Sequence, residues 1–294
     1  MRTDWILLLY NRADHTEQVL ESLETNCIDR IFVYIDYPAD QQTAQKQKVI
    51  KRILDQKWSF QIIQQWRSER FGLARSVCSS INLAFANGAD SIVLLEDDCI
   101  LEANGKYFFE DGLKALRNKP NIRSLCGYTN PNCPFIFDHN NDLLQLQRFS
   151  TWGWATWADR WIDYTRYRNL GELLRVSKTK VSTIEEWTPD LAKLCANQAY
   201  LDGDVDIWSI QWTLLHFLTN SFAVFPIESV INNIGLDGSG ANCESTAEFS
   251  GNTHLERRRI AYKWSHLDYY FENEDIIRSF MKLHGLKTFP KLKT

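Results

Sequence analysis

The stretch Ser91-Ile92-Val93-Leu94-Leu95-Glu96-Asp97-Asp98 joins a short apolar run directly to three consecutive carboxylates. A solidly apolar run with polar flanks is typical of a strand buried in the centre of a sheet. Its carboxylates then lie where the strand leaves the sheet. Because three neighbouring anions repel one another, either a pKa shifts to neutralise one of them or a divalent cation binds. Carboxylate oxygens suit Mg²⁺ or Mn²⁺, and a half-filled coordination shell leaves room for substrate phosphates. The alternative is a solvated acidic loop.

The sequence before this stretch alternates between strand and helix patterns. Strands are predicted over residues 5–10, 30–36 and 59–66, and helices over 14–23, 39–56 and 73–86, the first of these helices opening with a capping box at Asp14. The alternation predicts an α/β fold with a mixed, mainly parallel central sheet flanked by helices. Ligands bind at the carboxyl ends of strands in such sheets. Asn11, Asp36 and the carboxylates 96–98 all fall at such ends.

The pattern changes after residue 105. Further elements are predicted as a helix over 106–118, strands over 122–127, 143–149 and 222–225, and a helix over 206–219. The Gly-, Ser- and Asn-rich residues 234–251 are predicted to form a mobile loop, which near an active site often acts as a lid. We therefore expect one large domain with two halves, 1–105 and 106–254, and a helical C-terminal tail, 255–294.

Composition excludes several classes of protein. The chain has 294 residues, is 44% hydrophobic and carries a net charge of −4 without a long basic block, which argues against non-specific nucleic-acid binding. Its seven cysteines are odd in number and contain no Cys-x-x-Cys pair, so we expect reduced thiols in a cytoplasmic protein rather than a disulfide framework or a zinc site. No signal peptide and no run of transmembrane length is visible.

Four motifs, taken in their order along the chain, carry a resemblance to a known family. They are Leu9-Tyr10-Asn11-Arg12-Ala13-Asp14-His15-Thr16, then Phe71-Gly72-Leu73-Ala74 ahead of Leu94-Leu95-Glu96-Asp97-Asp98, then Ser150-Thr151-Trp152-Gly153-Trp154-Ala155-Thr156-Trp157, and finally Asn233-Ile234-Gly235-Leu236-Asp237-Gly238-Ser239-Gly240. Together they resemble nucleotide-sugar-dependent glycosyltransferases of the GT-A fold, of the bacterial polysaccharide type similar to the N-acetylglucosaminyltransferase I group. The resemblance implies that 1–105 is the half that binds the nucleotide sugar and 106–254 the half that binds the acceptor and catalyses.

The resemblance also implies roles for the residues at the strand ends. Asp98, the last acid of a DXD-like motif, is expected to bind Mn²⁺ or Mg²⁺, with Glu96 and Asp97 contacting the donor ribose or sugar or holding metal-bound water. Asn11 and Arg12 are expected to meet the nucleotide, Asp36 to accept a hydrogen bond from the base or ribose, and Arg70 to reach the diphosphate. The alternative for each of these four is a turn residue or a solvated charge.

The general base is expected in the segment 202–206. By resemblance it is Asp206, which opens an Asp-x-Trp-x-x-x-Trp helix, with Asp204 as the second candidate. A base needs hydrogen-bond reach to the acceptor hydroxyl and a pKa near the working pH, which burial among Trp residues would favour. The alternative is a helix N-cap, a position that Asp also favours. One residue can fill both roles.

The Trp-rich and Gly-rich blocks are expected to meet the sugars. Resemblance places Trp152, Gly153, Trp154 and Trp157 beside the donor and acceptor sugars, although packing in the core is the alternative for each Trp. Many GT-A enzymes supply a late His to the metal, and this chain has Asn242 in the matching turn. Asp237 is then a candidate substitute, or simply the acid of an Asp-Gly turn.

We therefore expect an inverting, metal-dependent glycosyltransferase. Its partners would be a nucleotide-sugar donor, UDP by family habit, and a glycan or lipid-linked glycan acceptor in polysaccharide biosynthesis. Basic residues in the tail would allow peripheral contact with an anionic membrane. One alternative is a sugar-phosphate nucleotidyltransferase, whose Gly-rich signature after the first strand is absent from Asn11-Arg12-Ala13-Asp14. The other is a non-catalytic carbohydrate-binding protein built on the Trp-rich block, although such modules are generally all-β and shorter.

Overall fold

Ten strands form the framework of the part of the chain that the structure describes. The computed structural model describes residues 1–129, 142–167, 169–187, 189–202, 208–238 and 261–269. In these ranges the strands are β1 (Thr3–Leu9), β2 (Arg30–Ile35), β3 (Gln61–Trp66), β4 (Ser91–Glu96), β5 (Cys99–Leu101), β6 (Ile122–Cys126), β7 (Leu143–Leu146), β8 (Trp154–Trp157), β9 (Phe222–Pro226) and β10 (Ile231–Asn233).

Eight of these strands form one mixed sheet in the order β3-β2-β1-β4-β8-β6-β9-β7, and β10 pairs with β5 separately. The strands β3, β2, β1 and β4 are all parallel. Strand β8 lies antiparallel between β4 and β6, while β6 and β9 are again parallel. The predicted α/β class, with a mixed and mainly parallel central sheet, is therefore confirmed.

Helices cover both faces of the sheet. Those in the described ranges are α1 (Ala13–Thr25), α2 (Gln41–Leu54), α3 (Gly72–Ala86), α4 (Gly105–Ala115), α5 (Ala158–Thr165), α6 (Leu170–Ser177), α7 (Val181–Trp187), α8 (Pro189–Cys195), α9 (Gln198–Asp202) and α10 (Trp208–Leu218), with 3-10 helices at Gly235–Asp237 and Trp264–Tyr269. None of the described helices has the length and apolarity needed to cross a bilayer.

The central strands are buried on both faces. On β1, Leu7 belongs to the core beneath α1 and α2, whereas Ile6 belongs to the core beneath α3 and α10. Successive side chains of a strand point to opposite faces, so a strand covered on both sides needs an unbroken apolar sequence. This requirement explains why β1 and β4 were recognisable from sequence alone.

One local prediction is wrong, and one strand was not predicted. The capping box at Asp14 does not form: α1 has Arg12 at its N-cap without a side-chain cap, and Thr16 Oγ1 bonds back to the Arg12 carbonyl oxygen at 2.7 Å. The Trp-rich block, for which no strand was predicted, forms β8 and pairs with β4. Of the predicted loop 234–251, residues 235–237 form a 3-10 helix; the predicted lid beyond residue 238, and the predicted tail apart from 261–269, lie outside the described residues.

A polar chain crosses the core between β6 and α10. His216 is fully buried, and its Nδ1 lies 2.8 Å from the Trp212 carbonyl oxygen, which can only accept. Its Nε2 therefore accepts from Ser124 Oγ at 3.1 Å, and Ser124 Oγ accepts in turn from Trp212 Nε1 at 3.0 Å. Burial lowers the pKa of His216 to about 3, so the ring is neutral at pH 7.

We predict that this histidine makes the fold sensitive to acid. The unfolded chain protonates it near pH 6.5 and the folded chain only near pH 3, so its contribution is complete above pH 6.5 and is lost as pH falls. The loss is about 3 kcal/mol at pH 4. Urea unfolding at pH 7 and pH 4 should show a smaller pH effect for His216→Leu than for the wild type. An equal pH effect in both proteins would contradict the assignment.

Candidate active site

The polar strand ends meet at one edge of the sheet. Because β2, β1 and β4 are parallel neighbours, their carboxyl ends lie side by side. The chain order reverses at β1, and ligands bind in parallel sheets at such a switch point. A cavity of about 440 Å³ opens here between the strand ends and the start of α3. The cavity is lined by Leu8, Leu9, Tyr10, Asn11, Arg12, Tyr34, Asp36, Arg70, Gly72, Leu73, Ser76, Glu96 and Asp97.

An ion-pair cluster forms the acidic side of this site. Arg12 Nη2 donates to Asp97 Oδ1 and, at 2.8 Å, to Asp98 Oδ2. All three side chains are largely buried. Burial alone would lower the pKa of Arg12, but the two carboxylates outweigh it and raise that pKa, so the guanidinium remains charged. Burial raises the pKa of Asp97, while the hydrogen bond and the charge of Arg12 act to lower it.

The third acid of the triplet, Glu96, has a raised pKa. Burial, reinforced by the charges of Asp98 and Asp97, raises the pKa of Glu96 to about 8. This shift favours the neutral form of Glu96 at pH 7, while the other two acids of the triplet face the guanidinium of Arg12. A shifted pKa and an arginine together remove the repulsion that the sequence implied.

Asp36 holds the loop between β3 and α3. Its Oδ1 accepts from the backbone N–H groups of Tyr37 at 2.9 Å and Phe71 at 2.8 Å, and its Oδ2 accepts from that of Gly72 at 2.8 Å. Gly72 has φ +74°, which suits glycine. Asp36 lines the cavity as expected, but its described contacts are with the backbone. Its contact with a base or ribose remains a prediction.

The segment that contains Ile234 and Gly235 covers Asp98. The Ile234 N–H donates to the Asp98 carbonyl oxygen at 2.9 Å. His15 Nε2 lies 3.2 Å from the Ile234 carbonyl oxygen and 3.4 Å from Asp237 Oδ2, which ties the 3-10 helix to α1. A Cβ on Gly235 would collide with Asp98 Oδ2 and lie 2.9 Å from Arg12 Nη1. Only glycine fits this approach.

The Trp-rich block divides into fully buried and partly buried tryptophans. Trp154 and Trp157 are fully buried, and Trp157 Nε1 donates to the Leu113 carbonyl oxygen at 3.0 Å. This burial corrects the prediction for these two residues, because a ring enclosed in the core offers no face to a sugar. Trp152 is only partly buried and packs edge-on against Tyr128 at 4.6 Å. Gly153 has φ +64°, and a Cβ there would clash with Ile231.

Several predicted residues lie outside the described part of the chain: Asp204, Asp206 and Asn242. Among the others, the structure brings together Asn11, Arg12, Asp36, Arg70, Glu96, Asp97, Asp98 and Asp237 around the cavity and its acidic side. Sequence reasoning missed Tyr34, Ser76 and Gly235. Only Gly235 had a visible signal, since it stands inside the quoted Gly-rich motif.

The acidic side has the donor chemistry of a Mg²⁺ or Mn²⁺ site. Proteins bind these ions through one or two carboxylates while water and substrate phosphates complete the shell. Asp98 and Asp97 provide such oxygens, although both now face Arg12. Within the described ranges, no group of three or more His, Cys, Asp or Glu side chains is arranged to hold a metal. The residues therefore suit an open site and not a cage made of protein ligands alone.

Comparison with known proteins gives distant structural matches. No family model matches the chain, and no curated protein matches it in sequence. A mannosyltransferase from Pyrobaculum calidifontis, solved with GDP-Man and Mn²⁺, is 15% identical with a TM-score of 0.42 over 55% of this chain and 46% of its own. A cytidylyltransferase from Leptospira borgpetersenii serovar Hardjo-bovis is 14% identical with a TM-score of 0.34 over 56% and 64%.

A third match is a CMP:2-keto-3-deoxy-manno-octonic acid synthetase complexed with CTP, at 9% identity and a TM-score of 0.38 over 76% of this chain and 89% of that chain. This chain therefore spans about half of the mannosyltransferase and less than two thirds of the cytidylyltransferase that it matches. All three TM-scores are below 0.5. Likeness at this level assigns no activity, so the function has to be inferred from the residues of the site.

We predict that Arg12 stabilises the fold chiefly by neutralising Asp97 and Asp98. Arg12→Met leaves two buried carboxylates without their cation, which costs about 3 kcal/mol at pH 8. Burial raises the pKa of Asp97, so its protonation relieves part of the cost at pH 5. Chemical unfolding at the two pH values measures this difference.

The matched control is Arg75→Met, because the ion pair of Arg75 with Glu69 is more than half exposed and contributes little. Equal destabilisation by the two substitutions would show that the buried cluster has no special role in stability.

Proposed function

We propose that the protein is a glycosyltransferase that binds a nucleoside-diphosphate sugar in the 440 Å³ cavity and transfers the sugar to a carbohydrate acceptor. The observation that carries the proposal is the buried cluster of Arg12, Asp97 and Asp98 at the carboxyl edge of a parallel sheet, beside this cavity. A diphosphate is bound by cations. This edge offers the guanidinium of Arg12 and carboxylates that can hold a divalent metal ion. The family resemblance of the four sequence motifs points the same way.

The diphosphate is assigned to the open side of the cavity. Arg70 is exposed there, and Arg12 lies at the end of β1 against the acids. Guanidinium groups bind phosphates through paired, charge-assisted hydrogen bonds. In this proposal Asn11 and Arg12 contact the nucleotide, Arg70 contacts the diphosphate, and Asp36 contacts the base or ribose while it holds its loop.

Asp98 is the proposed metal ligand, with Asp97 and Glu96 beside it for metal-bound water or for the donor ribose or sugar. When bound, Mn²⁺ or Mg²⁺ would neutralise charge on the leaving diphosphate. Arg12 already bonds Asp98, so we expect its guanidinium to turn toward the phosphates when a cation takes its place. Asp237 lies near enough to His15 to belong to the same side of the site.

The proposed reaction is a direct displacement that inverts the anomeric carbon. The acceptor hydroxyl loses its proton to a carboxylate, Asp206 by resemblance and Asp204 as the alternative, while its oxygen attacks the anomeric carbon. The bond from that carbon to the diphosphate oxygen breaks, and the nucleoside diphosphate leaves. Trp152 and Gly153 are the proposed sugar contacts that remain after the burial of Trp154 and Trp157.

The proposed partners are a UDP-sugar and a glycan or lipid-linked glycan acceptor, in polysaccharide synthesis at the cytoplasmic side of a membrane. UDP follows from the resemblance, and the location follows from the cysteine pattern and the basic residues of the tail. A panel of nucleotide sugars incubated with the protein and Mn²⁺ tests the reaction class. Slow release of a nucleoside diphosphate supports the proposal. Formation of pyrophosphate would instead indicate a sugar-phosphate nucleotidyltransferase, and glycan binding without any turnover would indicate a binding protein.

We predict that Asp98→Ala removes the metal-dependent part of nucleotide binding. Calorimetric titration of UDP should show at least about tenfold tighter binding with Mn²⁺ for the wild type and no Mn²⁺ effect for the variant, because the proposed carboxylate ligand is lost. Asp29→Ala is the control, since Asp29 is almost fully exposed and precedes β2 at the opposite edge of the sheet. An unchanged Mn²⁺ effect in Asp98→Ala would refute this ligand assignment.

A second prediction concerns the base. Asp206→Asn should keep the Kd of the donor and lower kcat by about a thousandfold, because the amide cannot accept the acceptor's proton. Asp204→Asn is the matched control and should retain most of the turnover. The reverse result would assign the base to Asp204, and full activity of both variants would exclude this segment from proton transfer.

A further inference from the structure

The inner end of the cavity is formed by a row of side chains that lie side by side on three strands. Leu8 of β1 is in register with Tyr34 of β2 on one side and with Glu96 of β4 on the other. Ser76 of α3 lines the cavity together with this row. Leu8, Tyr34 and Ser76 are all buried, whereas Arg70 and Leu73 at the mouth are exposed.

Ser76 has an unsatisfied hydroxyl at this inner end. The residue is only 7% exposed, and its Oγ has no hydrogen-bond partner in the described part of the chain. Serine hydroxyls inside helices usually bond to a carbonyl oxygen one turn back. The next two serines of α3 do so: Ser79 Oγ donates to the Ser76 carbonyl oxygen at 3.3 Å, and Ser80 Oγ donates to that of Val77 at 2.9 Å. Leaving a buried hydroxyl unpaired is costly, so this Oγ is available to a hydrogen-bond partner that enters the cavity.

We propose that Ser76 is a nucleoside-binding residue, whose Oγ hydrogen-bonds the base or ribose of the nucleotide held in the cavity. This inference rests on the proposed function and adds a contact that the motifs did not indicate. The Leu8 and Tyr34 side chains give the inner end an apolar and aromatic floor, which suits a flat ring.

A phosphate does not suit this end of the cavity. It would lose its hydration against Leu8 and Tyr34. The guanidinium groups of Arg12 and Arg70 lie toward the acids and the mouth, so the phosphates find their counterions there. The nucleoside is therefore the part of the nucleotide that lies against Ser76.

Calorimetry on Ser76→Ala tests the assignment. We expect the nucleoside diphosphate that the wild type binds most tightly, chosen from UDP, GDP, CDP and ADP, to bind about fivefold more weakly, as is typical for one neutral hydrogen bond. Inorganic pyrophosphate should bind both proteins equally. The melting temperature should stay the same or rise, because the alanine variant no longer buries an unpaired hydroxyl.

Ser80→Ala is the matched control one turn further along α3. It removes a formed hydrogen bond in the core, so it should lower the melting temperature and leave nucleotide affinity unchanged. If Ser76→Ala fails to melt cooperatively, Ser76→Cys takes its place in the comparison, because its slightly larger side chain fills the space and its thiol is only a weak donor.

The outcomes separate this inference from the proposed function. A wild type that binds no nucleoside diphosphate overturns both. Wild-type binding with equal affinity in Ser76→Ala overturns only the role of Ser76. An equal loss of pyrophosphate and nucleotide binding would place a phosphate at Ser76, and a melting temperature lowered as much as in Ser80→Ala would make its hydroxyl structural. Either result refutes the nucleoside contact.

Discussion

The ion pair of Arg12 with Asp97 and Asp98 is the constraint on which this edge of the sheet depends. Two carboxylates follow the buried strand β4 and have little access to water, so they need a cation close by. Arg12 supplies it because β1 is the neighbour of β4 and ends beside it. The same residue stands at the N-cap of α1, where Ser, Thr, Asp or Asn would stabilise the helix better. Helix α1 therefore begins without a side-chain cap, and the guanidinium of Arg12 bonds the acids instead.

The loops around the cavity are fixed by side chains that bond to backbone groups. Asp36 binds the loop before α3, and Gln47 Nε2 donates to the carbonyl oxygens of Tyr10 at 3.0 Å and Asp36 at 2.8 Å. His15 holds the segment that covers Asp98. Hydrogen bonds of this kind restrain the loops, and a binding site on a sheet edge needs such support. The polar residues of the site thus divide into those that face the cavity and those that hold its walls.

The first half of the chain was predictable because its strands are covered on both faces and read as apolar runs. Their alternation with helices predicted the parallel sheet. The residues that follow the strands predicted that the carboxylates, Asn11 and Arg12 would meet at one edge. The second half was harder. Trp154 and Trp157 resemble sugar-binding residues in sequence, but β8 buries both of them between β4 and β6. Ser76 gave no signal, because a helical serine is recognisable as a site residue only when its missing partner is known.

The covering of Asp98 by Ile234 and Gly235 joins two stretches of chain separated by nearly half of the sequence. During synthesis, domains form as the ribosome releases them from the N-terminus, so the acids and Arg12 emerge long before the segment that closes over them. Contacts of such high sequence separation form slowly. A nascent chain that ends before residue 231 therefore lacks the segment that covers Asp98, and its acidic edge is incomplete.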